Sequence, residues 1–210
     1  MRKICFLCVL LISSVYAVSQ TILLDPAEIY IGTSHGATAS MVMFTPNVEQ
    51  DILIGYNGGV TFRYVTEKNL GMQIELNLSQ RGWKEKENLY AKRLNYIELP
   101  FLAHIYFGKK SRFVFNIGPK AAFLIGEKTL IDNTGASTRP QHTKEIQSKF
   151  DYGVTAGLGF EFSVKKQNFS LEARANYSLS NIYHRNWKTF RYSDNMNLAL
   201  NLGWLMKINK

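Results

Sequence analysis

The residues with the widest chemical reach in this chain are its four histidines, His35, His104, His142 and His184. Imidazole can ligate a metal or move a proton near neutral pH. A metal site needs its ligands at set spacings, and beyond the apolar amino-terminal run that holds Cys5 and Cys8 the sequence has no His-Glu-x-x-His, no Cys-x-x-Cys and no His-x-His. Ser180, His184 and Asp194 offer a nucleophile, a base and an orienting carboxylate within one stretch, the set that a lipid-modifying hydrolase would use. Gly157-Leu158-Gly159 has the outline of a phosphate loop but leads into no helix, so glycine there is read as making room inside the fold. The residue types therefore predict no catalytic residue, no metal and no cofactor. What they offer instead is a set of charges, Arg63, Glu75, Glu98, Lys120, Glu161, Glu172 and Arg174, whose neighbours in sequence are apolar on both sides.

That placement comes from alternation with period two. Over residues 70–79, Leu70, Met72, Ile74, Leu76 and Leu78 point one way, while Gly71, Gln73, Glu75, Asn77 and Ser79 point the other. Residues 169–179 repeat the pattern, with Phe169, Leu171, Ala173, Ala175, Tyr177 and Leu179 set against Ser170, Glu172, Arg174, Asn176 and Ser178. Residues 54–64, 113–125, 152–162 and 196–206 follow the same rule. Residues 94–107 alternate less cleanly, and a first strand falls within 28–44, where Gly32 and Gly36 blur the period. These are eight strands. Tight polar turns at 66–69, 108–111 and 165–168 alternate with longer connections at 45–51, 82–92, 126–149 and 180–194. An even-stranded membrane barrel has this asymmetry, with short periplasmic turns, long extracellular loops and both termini in the periplasm.

The amino-terminal segment agrees with export. Met1-Arg2-Lys3 precedes an apolar run from Ile4 to Val15 and a small-residue site at Ala17-Val18-Ser19, which predicts a signal peptide over 1–19 and a barrel domain over 20–210. Cys5 and Cys8 both fall in the segment to be removed, so disulfides contribute nothing to the expected mature fold. The chain carries a formal net charge of +9. Its basic residues fall in short turns and not on one helix, which disfavours nucleic acid as a partner and favours anionic lipid or simple solvation.

Alternation alone fits a soluble lipocalin-like barrel with its apolar face inward. Two features favour lipid outside. The polar faces are rich in Gly, Asn, Ser and Thr and poor in lysine, and the apolar faces run the length needed for a tilted strand to cross a bilayer. Trp83, Tyr90, Tyr96, Tyr183, Trp187, Tyr192 and Trp204 lie near strand ends and are expected to form interfacial girdles. Eight strands enclose a space about wide enough for side chains to fill. The seven charges are then expected to pair with one another inside the barrel and to plug it.

Several segments resemble one family in sequence: Gly58-Gly59-Val60 with Arg63-Tyr64, Gly71-Met72-Gln73-Ile74-Glu75-Leu76-Asn77, Gln80-Arg81-Gly82-Trp83, Leu94-Asn95-Tyr96-Ile97-Glu98-Leu99-Pro100, and Asn116-Ile117-Gly118-Pro119. They resemble, in that order, the PorT-like outer-membrane β-barrel proteins of Bacteroidetes, small eight-stranded barrels of the OmpA/OmpX type. The resemblance implies an exported outer-membrane barrel, and for the member that names the family it implies an accessory role in protein secretion by the type IX route. The functional expectation is a non-enzymatic barrel whose partners are membrane lipid and other envelope or secretion proteins. A small-molecule binder or narrow conduit, and the hydrolase built on Ser180, His184 and Asp194, are the alternatives.

Overall fold

The computed structural model describes residues 27–135, 139–185 and 189–209. The segment 1–19 expected to be a signal peptide, and Trp187, lie outside the described residues. β1 (Glu28–Thr45), a two-residue β2 (Gln50–Asp51), β3 (Leu53–Glu67), β4 (Leu70–Glu85), β5 (Tyr90–Gly108), β6 (Ser111–Asp132), β7 (Phe150–Val164), β8 (Gln167–Asn181) and β9 (Tyr192–Lys207) follow in chain order. A single helical turn, α1 (Pro140–Thr143), lies between β6 and β7.

The eight long strands pair antiparallel with their sequence neighbours, and β1 closes the ring on β9 from Tyr30↔Lys207 to Thr45↔Tyr192. Closure leaves no long sheet edge, as hydrocarbon demands, because an unpaired backbone group there costs several kcal/mol. A clasp holds the seam at the termini. Lys207 Nζ lies 2.6 Å from Glu28 Oε1, and the Ile29 amide donates to Asn209 Oδ1 at 2.9 Å.

Side-chain parity follows the sequence pattern. On β8, Phe169, Leu171, Tyr177 and Leu179 are exposed, while Glu172, Arg174, Asn176 and Ser178 are buried. The hairpin turns at Lys68-Asn69, Lys109-Lys110 and Lys165-Lys166 are as short as expected, with Asn69, Gly108 and Lys165 at positive φ.

At the opposite end the strands run further than alternation indicated. β4 continues to Glu85 and β5 begins at Tyr90, so most of the expected 82–92 loop is sheet. β6 reaches Asp132, well into the expected 126–149 loop. Gly82, within β4, has φ +145°, a backbone conformation that favours glycine. Strands of 15 to 22 residues are longer than the roughly 9–11 that cross a bilayer, so the barrel projects beyond the apolar band at its long-loop end.

Candidate functional site

The seven charges singled out by parity all point into the lumen, and register brings them together. Arg174 is their centre: its Nη1 and Nη2 donate to Glu75 Oε2 and Oε1 at 2.7 and 2.8 Å, and Nη2 also reaches Glu172 Oε2 at 2.9 Å. Asn77 and Gln73 donate to the two Glu75 oxygens, so this buried carboxylate is fully satisfied. Gln73 in turn accepts from Arg63 Nε at 2.8 Å, and Arg63 pairs with Glu161. A second group lies nearer the long-loop end, where Arg81 sits between Glu98 at 2.7 Å and Asp151 at 2.8 Å, with Lys120 3.6 Å from Glu98.

Arg81, Asp151 and Arg112 belong to this network but were not in the expected set. Arg112 lies 3.6 Å from Glu161. Each continues the inward parity of a neighbouring segment by one or two residues, Arg81 beyond Ser79, Asp151 before Gly153 and Arg112 before Val114. Stopping the alternation at the last clear apolar residue is what hid them.

Apolar clusters close both ends of the lumen. Tyr30, Val65, Tyr106, Val114 and Leu205 form the closure beside the short turns. The other is larger and aromatic: Phe44, Trp83, Tyr90, Tyr96, Tyr183 and Phe190 pack with Val42, Leu94 and Ile146. Between them, a void of about 20 Å3 beside Arg63, Glu75 and Arg174 has room for about one water.

This corrects the expected girdle. Trp83, Tyr90, Tyr96 and Tyr183 are at most 1 % exposed and face inward, because the mouth of an eight-stranded ring is filled by the inward side chains that line it. Burial there pushes the Tyr183 phenol up. Tyr192 and Trp204 do face outward. The outward aromatic belt beside the short turns is built mostly of phenylalanine, in cross-strand pairs Phe107↔Phe113, Phe113↔Phe160, Phe162↔Phe169 and Phe169↔Trp204.

Above the aromatic closure the long connection folds back over the mouth. Gln141 Nε2 donates to Glu85 Oε1 at 3.1 Å and His142 Nε2 lies 2.8 Å from the same oxygen, with the His142 ring 4.4 Å from that of Tyr90. Lys92 pairs with Glu127 at 2.8 Å and reaches the Lys144 carbonyl. An open cleft of about 620 Å3 remains at this rim, between Val48, Glu49, Lys86, Arg139 and Phe190.

Ser180, His184 and Asp194 are engaged separately. Ser180 donates to Asp151, the His184 amide donates to Gln147 Oε1, and Asp194 accepts from Tyr177 Oη at 3.5 Å. His104 is buried in the lumen beside Asn116, 2.7 Å away, and stacks on Tyr106. Among the described residues no group of three His, Cys, Asp or Glu side chains could hold a metal ion.

A closed antiparallel barrel with an apolar exterior and a polar, side-chain-filled interior defines the class of outer-membrane β-barrel proteins. The chain belongs to the outer membrane protein beta-barrel domain family, whose model matches residues 19–184, and it is accordingly a protein of the outer membrane. No curated protein matches the sequence. Among solved structures it is similar in fold to the neisserial surface protein A, at 10 % identity and a TM-score of 0.52, over 88 % of this chain and 100 % of that one. The attachment invasion locus protein Ail of Yersinia pestis, in complex with the heparin analogue sucrose octasulfate, gives 15 % identity and a TM-score of 0.46 over 85 % and 99 %. The outer membrane enzyme PagL gives 11 % and 0.35 over 87 % and 99 %.

Proposed function

We propose that this protein is a non-enzymatic outer-membrane barrel that acts through its two rims, as a structural or accessory component of an envelope assembly. The observation that carries this reading is the double closure of the lumen. A charged interior sealed by an apolar cluster at each end offers a solute no continuous polar path, so a conduit would have to dismantle packed side chains. The same filling leaves the binding alternative little interior room.

In this reading the short turns and both termini face the periplasm and the long-loop rim faces outward. The turns then present Lys68, Lys109, Lys110, Lys165 and Lys166 to the periplasm, a surface suited to an acidic partner. The long-loop rim presents the cleft beside Glu49, Lys86 and Arg139. The likeness of residues 53–125 to the PorT-like proteins makes a protein-secretion assembly, the type IX route by analogy, the context to examine first. Cross-linking in intact cells, followed by identification of the captured envelope proteins, tests the proposal. A defined partner lost when the turn lysines are changed to glutamate is the expected result, and the absence of any stable envelope partner would contradict it.

A further inference from the structure

On the outer face of β1 and β3 a polar pair interrupts the apolar surface. His35 on β1 points outward and its Nδ1 lies 2.6 Å from Tyr56 Oη on β3, the two rings stacked with centroids 6.2 Å apart. On its own strand the outward positions beside His35 are Thr33 and Ala37, with exposed Ile31 beyond the first and exposed Met41 and Met43 further along from the second, and Leu202, 66 % exposed, is its cross-strand partner on β9. The pair therefore lies within the apolar band. Beside it, Gln80 on β4 is also turned outward and accepts the Tyr56 amide at 3.2 Å, where the β3–β4 ladder has ended at Asn57↔Ser79.

A single hydrogen bond does not satisfy this pair. If Tyr56 donates to Nδ1, the His35 Nε2–H is left as a donor and Tyr56 Oη keeps an acceptor lone pair. If Nδ1–H donates to Tyr56, Nε2 is left as the acceptor and the tyrosyl hydrogen as the donor. In either tautomer the pair turns one unspent donor and one unspent acceptor toward hydrocarbon, where both are costly. Next to it the surface is recessed. A depression of about 590 Å3 is lined by Ala37, Ala39, Ala173 and Ala175, with the Leu198 and Leu200 ridge of β9 among them. Cross-strand register sets these leucines directly beside the alanines on both flanks, Ala37↔Leu200↔Ala173 and Ala39↔Leu198↔Ala175.

We propose that this face is a two-fold interface between two copies of the chain within the bilayer. A two-fold axis places the unspent donor of each pair against the unspent acceptor of the other, so that two equivalent hydrogen bonds satisfy both copies. The same operation sets the leucine ridge of one copy against an alanine trough of its partner, and small residues permit the close approach that membrane association requires. Lipid tails could fill the trough but carry no group to meet the pair. A second copy supplies both.

The test counts copies by single-molecule photobleaching of labelled protein reconstituted into lipid bilayers over a range of protein-to-lipid ratios. The natural sequence is expected to form reversible dimers. His35→Leu and Tyr56→Phe each remove one partner from both symmetric bonds, and each should weaken association by about tenfold. The double variant should be little worse than either alone, because the bonds are shared. Both substitutions place apolar groups on a lipid-facing surface, and circular dichroism with heat-dependent electrophoretic mobility checks that the barrel is folded. Ala37→Trp, which fills the trough, should leave single copies. Single copies of the natural sequence at every density, or dimers unchanged in both the His35 and Tyr56 variants, would overturn the proposal.

Discussion

At the scale of single residues, Arg174 shows how a barrel keeps charge in its interior. One planar guanidinium serves Glu75 with two hydrogen bonds and Glu172 with others, a geometry that an ammonium group does not reproduce. Desolvating such a set is expensive, and the cost is met only while every member is present. Arg174→Met is therefore expected to destabilise the barrel by about 3–5 kcal/mol by leaving two buried carboxylates without their cation. Arg174→Lys should cost less, and Glu75→Gln in the Met background should recover part of the loss. Urea titration of protein folded in lipid vesicles measures all three. The inward direction of these charges was legible in the sequence because parity assigns a face. Their partners were not: whether Glu98 meets Arg81 or Arg174 depends on the offsets between strands, which no local pattern carries.

At the scale of strands, β8 makes the assignment of faces most plainly. Ala175 faces outward and its neighbour Asn176 faces the lumen, where it donates to Asn197 Oδ1 at 2.8 Å. Ala175→Arg is expected to cost roughly 2–4 kcal/mol, the penalty for a basic side chain near the bilayer midplane. The same urea titration reads it, and a cost near zero would place that face in water. Strand parity also explains the misplaced aromatics. Trp83 shares the parity of Arg81, and Tyr96 that of Glu98, so carrying the alternation to the strand ends puts both inside. Nearness to a strand end was the weaker cue, because strand ends in this barrel lie above the hydrocarbon and line a mouth that must be filled. The phenylalanine belt was missed for the converse reason: in sequence Phe107, Phe113, Phe160 and Phe169 look like ordinary members of apolar faces, and only register aligns them into a band across β5 to β8.

At the scale of the whole molecule, eight strands, three tight turns and an alternating apolar surface were legible from sequence. The fold back of 139–149 over the mouth was not, because Glu85, Tyr90 and His142 meet across connections far apart in the chain. The resulting object is a barrel with lipid outside, a paired charge network inside and an apolar closure at each end, which leaves the rims and the outer wall as the surfaces available to partners. The most direct measurement is the accessibility of nitroxide labels on single cysteines along β8, in reconstituted bilayers dilute enough to hold single copies. Leu171, Ala173 and Ala175 should collide with dissolved oxygen and be shielded from a water-soluble nickel chelate, whereas Ser170, Asn176 and Ser178 should be reached by neither. Free collision of the nickel chelate with the first set, or with the second, would contradict this account.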